Sequence, residues 1–250
     1  MSSIIDECLA LYGSDAYFVR YPAREAEVEY WDEKRDPDGN IRDLAAERDQ
    51  RKADLAYIAD AVNARAAGRV VDVGCGLGEL LEQISPKHER VGVDPSERAV
   101  EVAAERSGAR TLRGELSVDL FPAGSCDTII AHHVIEHIEE PVGFVETVRH
   151  LLAPGGVFVV GTPNFASAAA RRFGERFRLL HDPTHVSLFS DDSLLRLLRD
   201  LGFRVAAVEY PFFGTRFATD EAWARMLDAE KGVSPAFWGS FVTVFAEKTS

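Results

Sequence analysis

The chain is poor in cysteine, short of positive charge and without any apolar run long enough to span a membrane. Its 250 residues hold three cysteines, Cys8, Cys75 and Cys126. The number is odd and the positions are scattered, and none has the close spacing of a metal-ligand pair. A disulfide scaffold is therefore excluded, and reduced thiols in a cytoplasmic protein are expected. A bilayer-spanning helix needs roughly 18 apolar residues in a row, and no such run occurs. The opening MSSIIDECLALYG lacks a basic stretch followed by a long apolar core, so no secretory signal is expected. Against 41 acidic residues stand 28 Lys and Arg, a formal net charge of −13. Such a chain repels a polyanion, which argues against DNA and disfavours RNA as a partner. Basic residues cluster once, at Arg171, Arg172, Arg176 and Arg178. A solvated helix face and an anion site are both open readings of that cluster.

Hydrophobic residues, by contrast, make up 46% of the chain, ample for the core of one large domain with additions. The most informative stretch is residues 70–81, VVDVGCGLGELL. Val70, Val71 and Val73 read as a buried strand, and Leu77, Leu80 and Leu81 begin a helical period. Between them lie Gly74, Gly76 and Gly78. Glycine allows a sharp strand-to-helix turn and lets a ligand approach the backbone closely. In doubly wound α/β folds this turn holds nucleotide-like cofactors. Asp94 ends the next apolar strand, VGVD, where a carboxylate can accept hydrogen bonds from a ribose diol.

Apolar runs and helical periods alternate through most of the chain. Strands are predicted near 69–73, 90–93, 109–112, 126–131, 156–161, 203–210 and 237–246. Helices are predicted at 78–84, 96–106, 142–151 and 191–201, with a helical pattern over 44–66. Asp191 or Asp192 can cap the last helix, and Gly202 stops it. The expectation is an α/β fold: a Rossmann-like, seven-stranded, mostly parallel sheet with helices on both faces and an antiparallel final strand. Residues 1–50 mix aromatics (Tyr12, Tyr17, Phe18, Tyr21, Tyr30, Trp31) with many charges and the turn DPDGN at 36–40. They cannot form a core alone and are predicted to be a helical lid or substrate cap on a 51–250 domain. Two stretches, 162–190 and 211–236, fall outside the alternation and are assigned to the substrate pocket.

The glycine-rich stretch resembles the D/E-x-G-x-G-x-G signature of class I S-adenosylmethionine (SAM)-dependent methyltransferases. The resemblance continues through VGVDPSERAV, CDTIIAHHVIEHIEEP and HLLAPGGVFVVGTPN, and covers residues 55–210. It is to the small-molecule type, including the ubiquinone-biosynthesis O-methyltransferases and polysaccharide and natural-product methyltransferases. A nicotinamide-dependent dehydrogenase is the rival, but its G-x-G-x-x-G fingerprint would need glycine where Glu79 stands. Asp72 would also repel a pyrophosphate, whereas SAM carries an ammonium and a sulfonium.

The resemblance implies that Asp72, Gly74, Cys75, Gly76 and Gly78 cradle SAM, with Asp72, Gly74 and Gly76 at its methionine end. It places Asp94, with Pro95 beside it, on the ribose hydroxyls, Glu115 and Leu116 at the adenine, and Ala131 and His132 near the sulfonium. In some relatives an E-x-x-E-H pattern binds a divalent metal. The matching residues here are His133, Glu136 and His137, with His185 or His181 as a later ligand. On a helical turn, positions i, i+3 and i+4 share a face. Three nitrogens and one carboxylate suit zinc, iron or cobalt better than magnesium. His133 departs from the pattern, which has Glu there, and Glu136–His137 as a metal-free hydrogen-bonded pair is the other reading.

Without metal, His133 or His185 could act as the general base. The strip THVSLFS resembles methyltransferases whose histidine faces the acceptor pocket, although His185 could equally serve as a structural hydrogen-bonding residue. The expected activity is methyl transfer to a small molecule, with O-methylation of a sugar, glycolipid, phenolic or natural-product hydroxyl leading. N-methylation of a small amine, a metal-dependent RNA 2′-O-methyltransferase and a non-catalytic SAM-binding module are the alternatives. A homodimer through the aromatic N-terminal segment is also open.

Overall fold

The computed structural model describes residues 3–22, 33–35, 41–43, 46–230 and 232–249. The chain begins with helix α1 (Ile4–Leu9), strand β1 (Val19–Arg20), the paired strands β2 (Glu33–Arg35) and β3 (Ile41–Asp43), and helix α2 (Arg48–Asn63). The alternation follows: β4 (Arg69–Val73), β5 (Glu89–Asp94), α3 (Glu97–Ser107), β6 (Arg110–Arg113), β7 (Cys126–His132), α4 (Pro141–Leu151) and β8 (Leu152–Pro163). After it come α5 (Ala168–Phe173), β9 (Ser187–Leu188), α6 (Asp191–Asp200), β10 (Phe203–Glu209), α7 (Asp220–Leu227) and β11 (Phe241–Lys248).

Seven strands form one sheet in the order β10-β11-β8-β7-β4-β5-β6. Strands β4 to β8 run parallel, and β11 pairs antiparallel with both β8 and β10. The sheet therefore has the expected form. Strand alternation sends Val71, Val73, Ile129 and Phe158 into one core with α4 and α6. It sends Val70, Ile130, Val157 and Val159 into another with Ile58, Ala59 and Val62 of α2. Among the described residues no helix is long and apolar enough to cross a membrane. All three cysteines are buried and unpaired.

Several expectations are corrected. Residues 78–84 form a run of turns rather than a regular helix, closed by Glu82 N–H to Gly78 O at 2.9 Å and Ile84 N–H to Leu80 O at 3.2 Å. Gly78 has φ +87°, and a Cβ there would lie 2.9 Å from Ala103 Cα, so α3 packs too close for an ordinary helix start. Helix α6 is capped by Ser190, whose side chain accepts from Ser193 N–H in a reciprocal capping box. Asp191 and Asp192 instead occupy the first turn, facing the positive end of the helix dipole.

Helical character in residues 1–50 is confined, among those described, to α1 and the start of α2. Tyr30, Trp31, the turn at 36–40 and Leu44 lie outside the described residues. The rest of the segment has a definite place: Ile5 and Cys8 are buried with Phe165, Ala169, Phe177 and Leu180. Strand β1 pairs with β9. Residues 3–22 thus pack behind the 162–190 stretch.

Candidate active site

The carboxyl ends of β4, β5 and β7 open into a cleft of about 1660 Å³. On one side, Gly74 and Gly76 take φ values of +67° and +51°, and the turn folds back so that Gly74 N–H meets Val93 O at 2.7 Å. A Cβ at Gly74 would lie 2.6 Å from Val134 Cγ2. Gly76 N–H donates to Asp94 Oδ2 at 3.0 Å and Ser96 N–H to Oδ1 at 2.9 Å. Two backbone donors thus aim the Asp94 carboxylate, and each oxygen keeps acceptor capacity for a ligand hydroxyl.

Asp72 is buried at the end of β4, and its carboxyl is pushed up to about 8 by burial, then by the charges of Asp94 and Glu79. Burial also raises the Cys75 thiol, which stays protonated. Cys75, Pro95, Glu115 and Leu116 line the same cleft. Two of the expected cofactor residues do not. Gly78 is set against α3, and Ala131 is fully buried because strand alternation turns it into the core beneath the sheet.

On the other side, β7 ends in His132 and His133. His132 is held neutral, its pKa lowered to about 3 by burial and then by His133. Tyr57 Oη lies 3.4 Å from its Nε2 and 2.7 Å from Thr243 Oγ1. The ring has room only because position 161 is glycine; a Cβ there would collide with it.

His133 is the one non-glycine residue of positive φ (58°) among those described. Such a backbone costs about 1–3 kcal/mol and persists only where its surroundings enforce it. Here its N–H donates to Gly161 O at 2.8 Å, its ring meets Phe241 edge-on at 5.2 Å, and Nδ1 lies 3.0 Å from Glu136 Oε1. Glu136 is fully buried, and its Oε2 accepts from Thr162 Oγ1 at 3.0 Å. Burial alone would raise this carboxyl. The hydrogen bond from His133 and the charges of His133, His137 and His185 outweigh burial and hold it at about 2.

The anionic carboxylate can only accept, so the His133 proton sits on Nδ1 and the Nε2 lone pair stays available. The same reasoning applies twice more. His137 Nδ1 lies 3.1 Å from Thr184 O and His185 Nδ1 lies 2.7 Å from Leu179 O, both acceptor-only carbonyls. In their neutral forms all three imidazoles therefore present an unprotonated Nε2. Burial foremost lowers the pKa of His185, keeping that lone pair free.

The metal expectation is only partly assembled. Ligand atoms of Glu136, His137 and His185 lie within 4.8 Å of one another. His133 stands outside the group, its near nitrogen directed at Glu136, and His181 sits apart on a short 3-10 turn. Glu136 and His137 also lie on a single 3-10 turn, Ile135–His137, rather than an α-helix, so the shared-face argument does not carry over. The basic cluster is largely structural. Arg172 donates to Leu227 O, and Arg176 to Ala229 O and Gly232 O, stapling the stretch after α7. Of the four arginines only Arg178 lines the cleft.

Residues 211–217, part of the stretch assigned to the pocket, line the cleft together with a face of α2 that sequence reasoning missed. Arg51, Asp54 and Tyr57 face the cleft from α2, and Arg216 reaches across to Glu47 at 2.5 Å and to Asp54 at 3.1 Å. Its guanidinium lies 4.9 Å from the centre of the Phe217 ring. A polar, aromatic face on a helix that should be merely amphipathic was the available signal.

Known proteins share the family and the fold. The profile of a family described as a methyltransferase domain matches residues 34–208. A probable S-adenosylmethionine-dependent methyltransferase of Mycolicibacterium smegmatis is 32% identical over 161 residues, covering 63% of this chain and 61% of that protein. A ubiquinone biosynthesis O-methyltransferase of a Bradyrhizobium species is 32% identical over 133 residues, covering 50% and 49%. The chain thus spans about half to three-fifths of the length of these two relatives. A crystal structure of a SAM-dependent methyltransferase from Archaeoglobus fulgidus superposes with a TM-score of 0.61 at 21% identity, covering 82% of this chain and 98% of that one. The fold thus has its counterpart among SAM-dependent methyltransferases, and the chain belongs to the methyltransferase-domain family.

Proposed function

We propose that this enzyme methylates a hydroxyl oxygen of a small-molecule acceptor, with His133 as general base. The observation that carries the reading is the His133–Glu136 pair. A buried anionic carboxylate fixes the imidazole tautomer and leaves Nε2 as a proton acceptor at the end of β7. In this reading Asp94 holds the ribose, Glu115 and Leu116 flank the adenine, and the methionine end lies over Asp72, Gly74 and Gly76. The acceptor oxygen attacks the methyl carbon in line with the sulfur, the C–S electron pair passes to sulfur, and the hydroxyl proton passes to His133 Nε2. The likeness to an O-methyltransferase supports oxygen as the acceptor atom. The net charge of −13 weighs against RNA.

Glu136, His137 and His185 form a donor set that fits a divalent metal. One carboxylate and two imidazole lone pairs suit zinc, iron or cobalt. A metal there would lower the pKa of the acceptor hydroxyl; the base and the cofactor cradle keep their roles. His185 otherwise holds the acceptor by a hydrogen bond to Nε2.

The test is transfer of labelled methyl from SAM to phenolic, sugar and amine acceptors, before and after EDTA treatment and metal analysis. Label on oxygen supports the proposal, and its loss in EDTA with recovery on zinc or cobalt assigns the metal. Label only on nitrogen, or unaltered turnover by His133→Ala, refutes it.

A further inference from the structure

A second cavity lies beside the cleft, on the sheet face that carries α2. It is a groove of about 650 Å³ between α2 on one side and β10, β11 and residues 211–215 on the other, a volume ordinary for a small-molecule site. Its α2 wall is one helix face, with Asp54, Tyr57, Ala61 and Val62 at helical spacing. Its floor is the side-chain surface of the sheet, where Val157 and Val159 of β8 and Phe245 of β11 point the same way. Ala61, Ala206 and Ala207 are exposed and too short to close the gap between the walls. Helix α6 packs on β10 and β11 from the opposite face. Polar groups gather at the two ends. Asp54, Tyr57 and Thr215 stand at the upper end, where with Pro211 they also line the catalytic cleft. Arg65 and Glu247 mark the lower end, and the rise along α2 from Asp54 to Val62 is about 12 Å. The partition between groove and cleft is thus a single layer of side chains, and Tyr57 Oη on its cleft side lies 3.4 Å from His132 Nε2.

We propose that the groove holds a hydrocarbon tail carried by the acceptor, whose hydroxylated head reaches the cleft past Tyr57 and Pro211. The acceptor is on this account an amphiphile, and the assignment rests on the reading of the cleft as a site of hydroxyl methylation. The order of chemistry along the groove matches such a molecule: polar where it meets the cleft, apolar along its length. The floor also selects against a peptide. It presents side chains and no backbone N–H or C=O, so an extended segment laid on it would leave its own backbone groups unpaired. A hydrocarbon chain carries no such groups and gains by leaving water. It would also cover Phe213, which lines the groove and is 71% exposed.

The experiment fills the groove from each wall in turn, with Ala61→Phe and Ala207→Phe, both at exposed positions outside the catalytic machinery. Binding is read with dansylaminoundecanoic acid, a fluorescent hydrocarbon-chain probe, and with S-adenosylhomocysteine. Transfer is read with para-methyl-, para-butyl- and para-octylphenol. Wild type should bind the probe, and each variant should bind it at least tenfold more weakly while keeping S-adenosylhomocysteine within about twofold. In wild type kcat/KM should rise roughly threefold per added methylene until the groove is full, and the variants should lose that rise. Should one variant lose S-adenosylhomocysteine and show a lowered Tm, the other decides, since it comes from the opposite wall. No probe binding by wild type, or equal binding by all three proteins, overturns the proposal. Equal kcat/KM for the three phenols in wild type overturns it and leaves hydroxyl methylation standing. Transfer to no phenol, with the probe bound by wild type and lost from both variants, supports the groove and tells against the phenolic hydroxyl instead. A dimer in light scattering that either substitution splits would give the groove to a second copy of the chain and overturn the proposal.

Discussion

On the proposed cofactor side of the cleft, Asp72, Gly74, Gly76 and Asp94 come from two neighbouring strands and the turns that follow them. On the proposed acceptor side, Glu136, Thr162 and His185 come from separate stretches, and the wall opposite is made by α2 and residues 211–217. The first side is held by backbone: N–H groups aim Asp94, and glycines make the turn. The second is held by side chains hydrogen-bonded to one another around a single buried carboxylate. A backbone-built site tolerates little change in local conformation but needs few particular side chains. A site built from side chains depends on each member of its network.

That contrast can be broken first at the histidine. His133→Ala should lower kcat by about 10²–10⁴, the usual range for a lost general base. S-adenosylhomocysteine affinity, measured by calorimetry, should stay within about twofold; a parallel loss of cofactor binding would show that the two sides are not separable. A smaller effect is expected at the turn. Gly74→Ala places a Cβ against Val134 at a residue of φ +67°, a strain of about 1–3 kcal/mol. It should weaken cofactor binding by tenfold or more and lower Tm by several degrees, read by thermal shift with and without ligand.

The smallest effect is a pH dependence of cofactor binding. Asp72 rises from its ordinary 3.8 to about 8 in the free protein, so it is largely protonated below that pH. A cationic ligand favours the carboxylate, so binding should release a proton and tighten as pH rises toward about 8, then level off. For the free protein the sign is opposite. A raised carboxyl contributes stability that is present below pH 4 and is lost as pH rises through about 8. Calorimetry in buffers of different ionisation enthalpy counts the proton, and a buffer-independent heat near pH 6.5 would contradict the assignment.

Much of the cofactor side was legible because its signals are local. An apolar run, three glycines and an acid at a strand end all lie within one βα unit, and strand period sorts their faces. The failures there are also local. Gly78 and Ala131 follow the motif, but the close approach of α3 and the alternation of β7 turn them away from the cleft. The helix expected at 78–84 was lost to the same contact with α3. On the acceptor side the resemblance had joined His185 to Glu136 and His137, and those three do cluster. That His133 stands outside the group, or that Arg216 bridges to Asp54, depends on chain segments meeting after the sheet has formed. His133 was read from the resemblance as a ligand or as a general base, and neither reading carries a sign of its positive φ or of the tautomer its carboxylate partner imposes.

The crowd of carboxylates on the cofactor side has a further consequence for turnover. Methyl transfer converts a sulfonium into a neutral thioether and hands a proton to His133, so each catalytic cycle moves one positive charge away from the side of the cleft that holds Asp72, Glu79 and Asp94. The spent cofactor leaves behind a more strongly negative site than the fresh one did. The exchange of used for unused donor is thereby biased in the forward direction by the departure of the charge that the reaction moves.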